Sequence, residues 1–498
     1  MGPNSEQKGQ AGISIPGATL IATLIVWFGL NQLLLWAFLG FGSVWLVASG
    51  TILLLALAGL AFRETVDLPR IPLLRLALLF GFALILYALG GEGRFFYANI
   101  DWQVRDAVLR DMALGTWPFV YETGAAQPDL LRAPIGFFLV PALAAKAWGL
   151  EAGDLALLVQ NAALLAILLG LGGSLFERAR QRATALGVVT LFSGLDIMLQ
   201  LIVKGRPEDH LEFAFDWMQY SAHITQAFWV PQHAYAGWLG ALLFLLWHRG
   251  LIPLWPMLAL LPLTALWSPL PLIGMMPFVA WAGLVALRRG ELRSADVALP
   301  ALAILLAVPT LLYLSSAPDA VGVRLLAIPL APWMLFEVLE VLVWLVPLLL
   351  WWKHPLRGPL VLVGMILVAL PFLQVGWSID LMMRASIPSL AILSAAAALA
   401  LTGEAPAKLR LWLGAALLLG SATGLSEVRR ALTEPPSPRG QCSFYGAWDV
   451  SFSAYPKGSH LAPLDHVPEV IRPREPARVQ VNDPESCWEG RWLRPSGV

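Results

Sequence analysis

Apolar runs of bilayer length alternate along this chain with short polar stretches. A helix needs about 20 mostly apolar residues to cross a bilayer. Runs of that kind predict crossings at 17–39, 43–62, 73–90, 155–176, 185–203, 230–247, 251–267, 271–287, 296–315, 333–352, 359–376, 385–401 and 410–425. The fold class read from this pattern is an all-α polytopic membrane protein of about 13 transmembrane helices. Prolines within 251–277 predict kinks, because proline removes a backbone donor and crowds the preceding turn. One further apolar stretch, 131–150, contains Pro134 and Pro141. If it crossed, every later loop would change sides, so a re-entrant or interfacial segment is expected there.

Loop charges orient this pattern, since Lys and Arg accumulate in short cytoplasmic loops. Arg63, Arg70 and Arg75 share one loop, and Arg178, Arg180 and Arg182 another. Arg249, then Arg288, Arg289 and Arg293, then Lys353 and Arg357, then Lys408 and Arg410 mark four more. All six basic loops and the amino terminus fall on one side, which predicts the cytoplasm. The other side holds 91–130, 204–229, 316–332, 377–384 and a tail from about 426. The expected organisation is a transmembrane domain over 1–425, with a periplasmic loop at 91–150, and a periplasmic cap over 426–498 with little regular structure.

Composition supports the membrane reading. The chain has 498 residues, 58% hydrophobic and 13% charged, and a mean hydropathy of +0.69. A soluble protein would carry about a quarter charged residues. A formal net charge of zero argues against a nucleic-acid partner. The 22 Trp residues fit aromatic belts at two water interfaces. The first apolar run is long and preceded by one Lys, Lys8, so no cleavable signal peptide is expected. Cys442 and Cys487 both lie in the tail assigned to an oxidising side, which predicts one disulfide. The alternative is two free thiols in a cytoplasmic tail.

Candidate chemistry starts after the third run. Asp101, Arg105, Asp106, Arg110 and Asp111 put five charges within eleven residues. Charge is costly inside a bilayer, so this segment must leave it or line a wet cavity. Asp101–Arg105 and Asp106–Arg110 are i,i+4 pairs that face each other on a helix. Arg105, Asp106 and Arg110 are read as holding an amphipathic helix on the membrane surface, with Asp101 as the residue for chemistry. Outer cations are few. Lys204 and Arg206 either bind an anion or snorkel to headgroups. Arg384 either binds phosphate or pairs with Asp380 four residues earlier. Gln232 and His233 open a membrane helix and could hold sugar hydroxyls or phosphate, or could simply satisfy local backbone. The outer histidines His210, His223, His233, His460 and His466 match no compact zinc spacing, so no protein-ligated metal is expected.

Together, the acidic motif in the first large outer loop, the run Trp117-Pro118-Phe119-Val120-Tyr121-Glu122 and the apolar segment with Pro134 and Pro141 resemble the GT-C superfamily of membrane glycosyltransferases. The resemblance covers the architecture and roughly residues 95–150. Two extra helices precede the loop, and the motif is Asn99-Ile100-Asp101 rather than an adjacent acidic pair. It implies a bacterial inner-membrane enzyme that takes a sugar from a polyprenyl-phosphate donor to a lipid- or glycan-type acceptor at the periplasmic face. Asp101 would be the general base, and the reaction a single inverting displacement. Arg384, Lys204, Arg206, Arg105, Asp380, Gln232, His233 and Glu122 are the candidate substrate and donor-phosphate binders. The leaving phosphate also needs positive charge, from side chains or a divalent cation, Mg2+ or Mn2+. A lipid-linked polysaccharide polymerase or ligase, and a non-enzymatic lipid or sugar flippase, are the alternatives.

Overall fold

The computed structural model describes residues 13–64, 66–124, 126–316, 322–489 and 492; Lys8 lies outside them. A short strand β1 (Ser14–Pro16) pairs antiparallel with β2 (Arg70–Pro72). The pair joins the start of α1 (Gly17–Phe38) to the start of α3 (Leu73–Leu89), with α2 (Val44–Arg63) between them. The first large loop then folds as α4 (Asp101–Leu114), β3 (Phe119–Glu122) and β4 (Asp129–Leu131). The bundle continues as α5 (Gly136–Trp148), α6 (Leu150–Gly172), α7 (Ala179–Leu191), α8 (Asp196–Lys204), α9 (His223–Trp229) and α10 (Pro231–His248). Then come α11 (Trp255–Thr264), α12 (Pro269–Arg289) and α13 (Ala295–Leu314). β5 (Val323–Leu325) follows, then α14 (Leu330–Glu337), a π-helical turn (Val338–Leu342) and α15 (Val343–Trp351). After α16 (Arg357–Ala369) come β6 (Leu373–Val375), α17 (Asp380–Ala385), α18 (Ile387–Thr402) and α19 (Ala407–Thr433). The tail adds α20 (Phe444–Ser451), β7 (Leu461–Pro463) and β8 (Ala477–Gln480).

Apolar runs form helices here because only a helix satisfies its own backbone groups away from water. Among the described residues, nine helical segments are long and apolar enough to cross a membrane, while α3, α5, α11 and α16 are apolar but shorter. Large apolar side chains such as Ile52, Leu55, Leu78, Leu287 and Leu305 point outward and are more than half exposed. A belt of that kind is costly in water and fits lipid, so the chain is an all-α membrane protein.

The expected crossing at 359–376 leaves its helix at Ala369 and ends in β6, and two more break in their interior. The run at 185–203 breaks over Phe192–Leu195 into α7 and α8, and the run at 333–352 passes through the π turn. Both irregularities carry acids, Asp196 and Glu340. The 131–150 segment gives α5, whose 13 residues span about 20 Å, short of a bilayer core of about 30 Å. Phe137 at its start accepts from Gln160 in α6, and Ala145 near its end packs against Gly153. The chain therefore turns back at Gly149, where φ is +93°, and α5 lies antiparallel to α6.

The six basic loops meet at one end of the bundle. Arg75 and Arg182 act on each other's charge, and Gln181 donates to Thr402 O at 3.2 Å. Lys408 lies over the Trp351 ring at 4.8 Å. Arg249 faces His354, and Arg249 and Arg289 both face His248. α19 runs from this end to the opposite one, where the tail begins.

The tail carries more regular structure than expected, and its strands are shared with the first large loop in one four-stranded sheet of order β7-β4-β3-β8. β3 pairs parallel with β8, and β4 antiparallel with β7. The helix before the tail continues through residue 425 to Thr433. Cys442 and Cys487 form a disulfide across 45 residues. Arg132 fastens the arrangement, donating to Leu314 O at 2.6 Å and Gly458 O at 2.8 Å.

Candidate active site

Asp101 is the first residue of α4, and its backbone N–H donates to Asn99 Oδ1 at 3.0 Å. Asn99 Nδ2 and Trp102 Nε1 both donate to Phe228 O, at 3.0 and 2.9 Å, which fixes this helix start against α9. Arg105 Nη2 donates to Asp101 Oδ2 at 3.0 Å, one helical turn away, and its guanidinium lies 5.3 Å from the centre of the Trp102 ring. The Asp101 side chain is 22% exposed and that of Arg105 10%. Burial pushes the Arg105 guanidinium below its usual range; Asp101 opposes this and the nearby Arg384 charge adds to it.

α4 is not a surface helix. Trp102, Val104, Arg105, Val108, Asp111 and Met112 are all buried, because the tail covers the face that an amphipathic reading leaves to water. Its remaining charges are internal ties. Asp106 pairs with Arg94 at 2.5 Å, and Arg110 with Asp111 at 3.3 Å. Asp111 accepts from Tyr121 Oη and from the Phe444 N–H, both at 2.7 Å, so it joins the helix to the shared sheet and to α20. Burial holds the Asp111 carboxyl up at about 6.

Four other elements bring groups toward Arg105. Arg384 lies on α17, 9% exposed, with Nη2 3.5 Å from Asp380 Oδ1. α17 sits close on α12 because Gly274 leaves room for the Ala385 carbonyl, where any Cβ would collide with it. His233, in the first turn of α10, has Nδ1 2.5 Å from Ser268 Oγ and faces Arg384, Arg105 and His460. Beneath it, Phe28, Tyr235, Phe137 and Trp267 form an apolar floor. His460 reaches in from the tail, against Phe444 and Trp448. Burial, with the Arg132 charge, holds its ring down at about 4, so it is neutral at neutral pH. Glu92 lies behind Arg105, with both oxygens 2.9 Å from Asn161 Nδ2, and burial raises its pKa well above the usual carboxylate range.

Several buried polar atoms here have no hydrogen-bond partner: Arg105 Nη1, Arg384 Nε and Gln232 Oε1. A buried donor left unmade costs about 1–3 kcal/mol, and guanidinium groups suit carboxylate and phosphate oxygens best. The arrangement is therefore fitted to an anion beside a carboxylate.

Of the residues singled out from sequence, Asp101, Arg105, Asp380, Arg384 and His233 converge, and Gln232 is buried next to His233 in the first turn of α10. Lys204, Arg206 and Glu122 do not. Lys204 pairs with Glu208 at 2.6 Å on the exposed end of α8, Arg206 is exposed, and Glu122 pairs with Arg478 of β8 at 2.8 Å. Sequence reasoning gave no role to Glu92 or Arg132, and none to His460 beyond its place in the tail. Glu92 had a readable signal, an acid between Gly91 and Gly93 directly after an apolar run. Among the described residues, no group of three or more His, Cys, Asp or Glu could hold a metal ion. The chain matches no family model, no curated protein and no solved structure.

Proposed function

We propose that the protein is a membrane glycosyltransferase of the GT-C type with about thirteen membrane helices. It moves a sugar from a polyprenyl-phosphate donor to a lipid or glycan hydroxyl at the periplasmic face of a bacterial inner membrane. The observation that carries this reading is the pair of buried guanidinium groups, Arg105 and Arg384, each with an unpaired N–H, whose charges oppose one another and of which Arg105 is bonded to Asp101.

In the proposed reaction the acceptor oxygen attacks the anomeric carbon as the bond from that carbon to the phosphate oxygen breaks. The acceptor proton passes to Asp101, whose Oδ2 is held by Arg105 while Oδ1 faces the acceptor. A positioned base of this kind contributes about 10²–10⁴-fold. Arg105 and Arg384 take the charge that develops on the leaving phosphate. His233 and the neutral His460, with Gln232, hold sugar hydroxyls.

The test is transfer by purified protein from a synthetic polyprenyl-phosphate sugar. Asp101→Asn should abolish turnover and leave donor binding and folding intact. Near-normal turnover in that variant would remove Asp101 as the base. Donor movement across a vesicle without any transfer or hydrolysis would replace the enzyme with a flippase.

A further inference from the structure

A second polar cluster lies inside the bundle, where the two broken helices meet. Asp196 opens α8, and its Oδ2 accepts from Ser193 Oγ at 2.8 Å and Thr423 Oγ1 at 2.9 Å. Glu340 lies in the π-helical turn and is 1% exposed. Neither of its carboxyl oxygens has a hydrogen-bond donor. Leu195 N–H donates to Leu339 O at 3.1 Å, which joins the two segments and brings Asp196, another acid, beside Glu340. Gly194 packs directly on the Glu340 carboxyl, where any Cβ would collide with it. π turns are found disproportionately at functional sites.

From Asp196 the cluster runs toward the tail. Glu212 accepts from the Ala222 N–H at 2.8 Å and Gln219 Nε2 at 2.6 Å. It lies 3.9 Å from His210 Nε2, which is buried and has no hydrogen-bond partner. His210 Nδ1 is 2.8 Å from Glu427 Oε1, and Glu427 also meets Trp229 Nε1 at 3.0 Å and Arg430 at 3.4 Å. Glu337 and Tyr220 face Glu340 from α14 and the loop before α9. Tyr97 and Glu434 face the Glu427 end. Burial holds the Glu212 carboxyl up at about 7. Of the buried acids, Asp196, Glu212 and Glu427 face His210, and Glu427 also faces Arg430, while Glu337 and Glu340 face other acids. An unpaired buried carboxylate is strongly disfavoured, and two acids sharing a site cannot both ionise.

We propose that Asp196 and Glu340 share one proton and form the inner end of a proton-binding site that runs through Glu212 and His210 to Glu427. The proton comes from water and sits between the two carboxyls, which then carry one negative charge together. The outer end borders a small cavity lined by Tyr97, Asn99 and Glu427, directly behind the loop that presents Asp101. Proton binding at this cluster does not depend on the transferase reading.

The experiment is infrared difference spectroscopy on the purified full chain in lipid nanodiscs, titrated across neutral pH. A protonated-carboxyl carbonyl band is expected at neutral pH. Glu340→Gln should remove one component of it, with circular dichroism reporting a retained fold. Asp196→Asn should shift that component, because Glu340 then bonds an amide. An unchanged band in Glu340→Gln overturns the proposal. So does loss of the band when Na+, Mg2+ or Ca2+ is added at constant pH, which assigns the site to a metal cation. If Glu340→Gln does not fold, the Asp196→Asn spectrum decides, and an unshifted component overturns the pair.

Discussion

Replacing Arg384 with Met separates a phosphate-binding role from a structural one, because the two predict opposite signs. The substitution keeps the length of the buried stem and removes the guanidinium. The ion pair that is lost joins Arg384 to an Asp380 side chain that is 49% exposed. A pair as open as that contributes a few tenths of a kcal/mol after screening. The change also removes a buried Nε–H that has no partner, relieving a penalty of about 1–3 kcal/mol. Thermal stability should therefore hold or rise. Donor binding should fall, since a hydrogen bond to a charged group contributes about 1.5–3 kcal/mol, equivalent to ~10- to 150-fold in affinity. The assay pairs thermal unfolding in nanodiscs with titration of a synthetic polyprenyl-phosphate sugar, and acceptor KM serves as the control. A variant that melts earlier while binding donor normally would show that Arg384 is a structural ion pair and would refute the reasoning.

Cys442→Ser should loosen the tail alone, because the bridge closes a 45-residue separation within it. The loop-entropy model gives roughly 3–4 kcal/mol, read as faster proteolysis of the tail, with reduced wild-type protein matching the variant; equal proteolysis would refute it. His460 titrates near 4 in the folded chain, against an ordinary value of 6.5, so the unfolded chain binds more protons between those values. Its stability contribution is full above pH ~6.5 and is lost as pH falls toward ~4, by up to ~1.4 kcal/mol per unit. His460→Gln should flatten that part of the stability curve, and an unchanged acid slope would remove His460 as its source.

The helical pattern was legible because lipid-length apolar runs and basic loops are properties of local sequence. Asp101, Arg384 and His233 were legible for the same reason, each being a polar residue at the end of an apolar run. What failed was long-range. α4 has the charge spacing of a surface helix, but its buried face is made by a tail more than 300 residues later, through contacts such as Phe444 N–H to Asp111. Glu122 looked like part of a loop motif, and its partner is Arg478 on a strand that only the folded sheet brings beside it. Lys204 and Arg206 shared the outer loop assignment with Arg384 but not its packing. The sequence itself carries one more signal. Asp196, Glu337 and Glu340 fall inside runs read as uninterrupted crossings, and ionisable residues there mark either a break or a function. The structure puts backbone irregularities at Asp196 and Glu340.

The two polar clusters are joined by a short element whose consecutive residues serve both. α9 has seven residues. Phe228 O accepts from Asn99 and Trp102, which fix the start of the Asp101 helix. The next residue, Trp229, donates to Glu427 at the outer end of the acid cluster. Protonation of Glu427 would weaken that charge-assisted bond and its pairing with Arg430, while the Phe228 bonds remain. If α9 has two positions that differ in the proton affinity of the cluster, Phe228 carries the difference to the start of the Asp101 helix, and by linkage the reverse holds. A pH profile of turnover that moves in Glu427→Gln, with donor affinity unchanged, is the signature of that connection. A profile that stays fixed would mean that α9 is rigid and that the two clusters act independently.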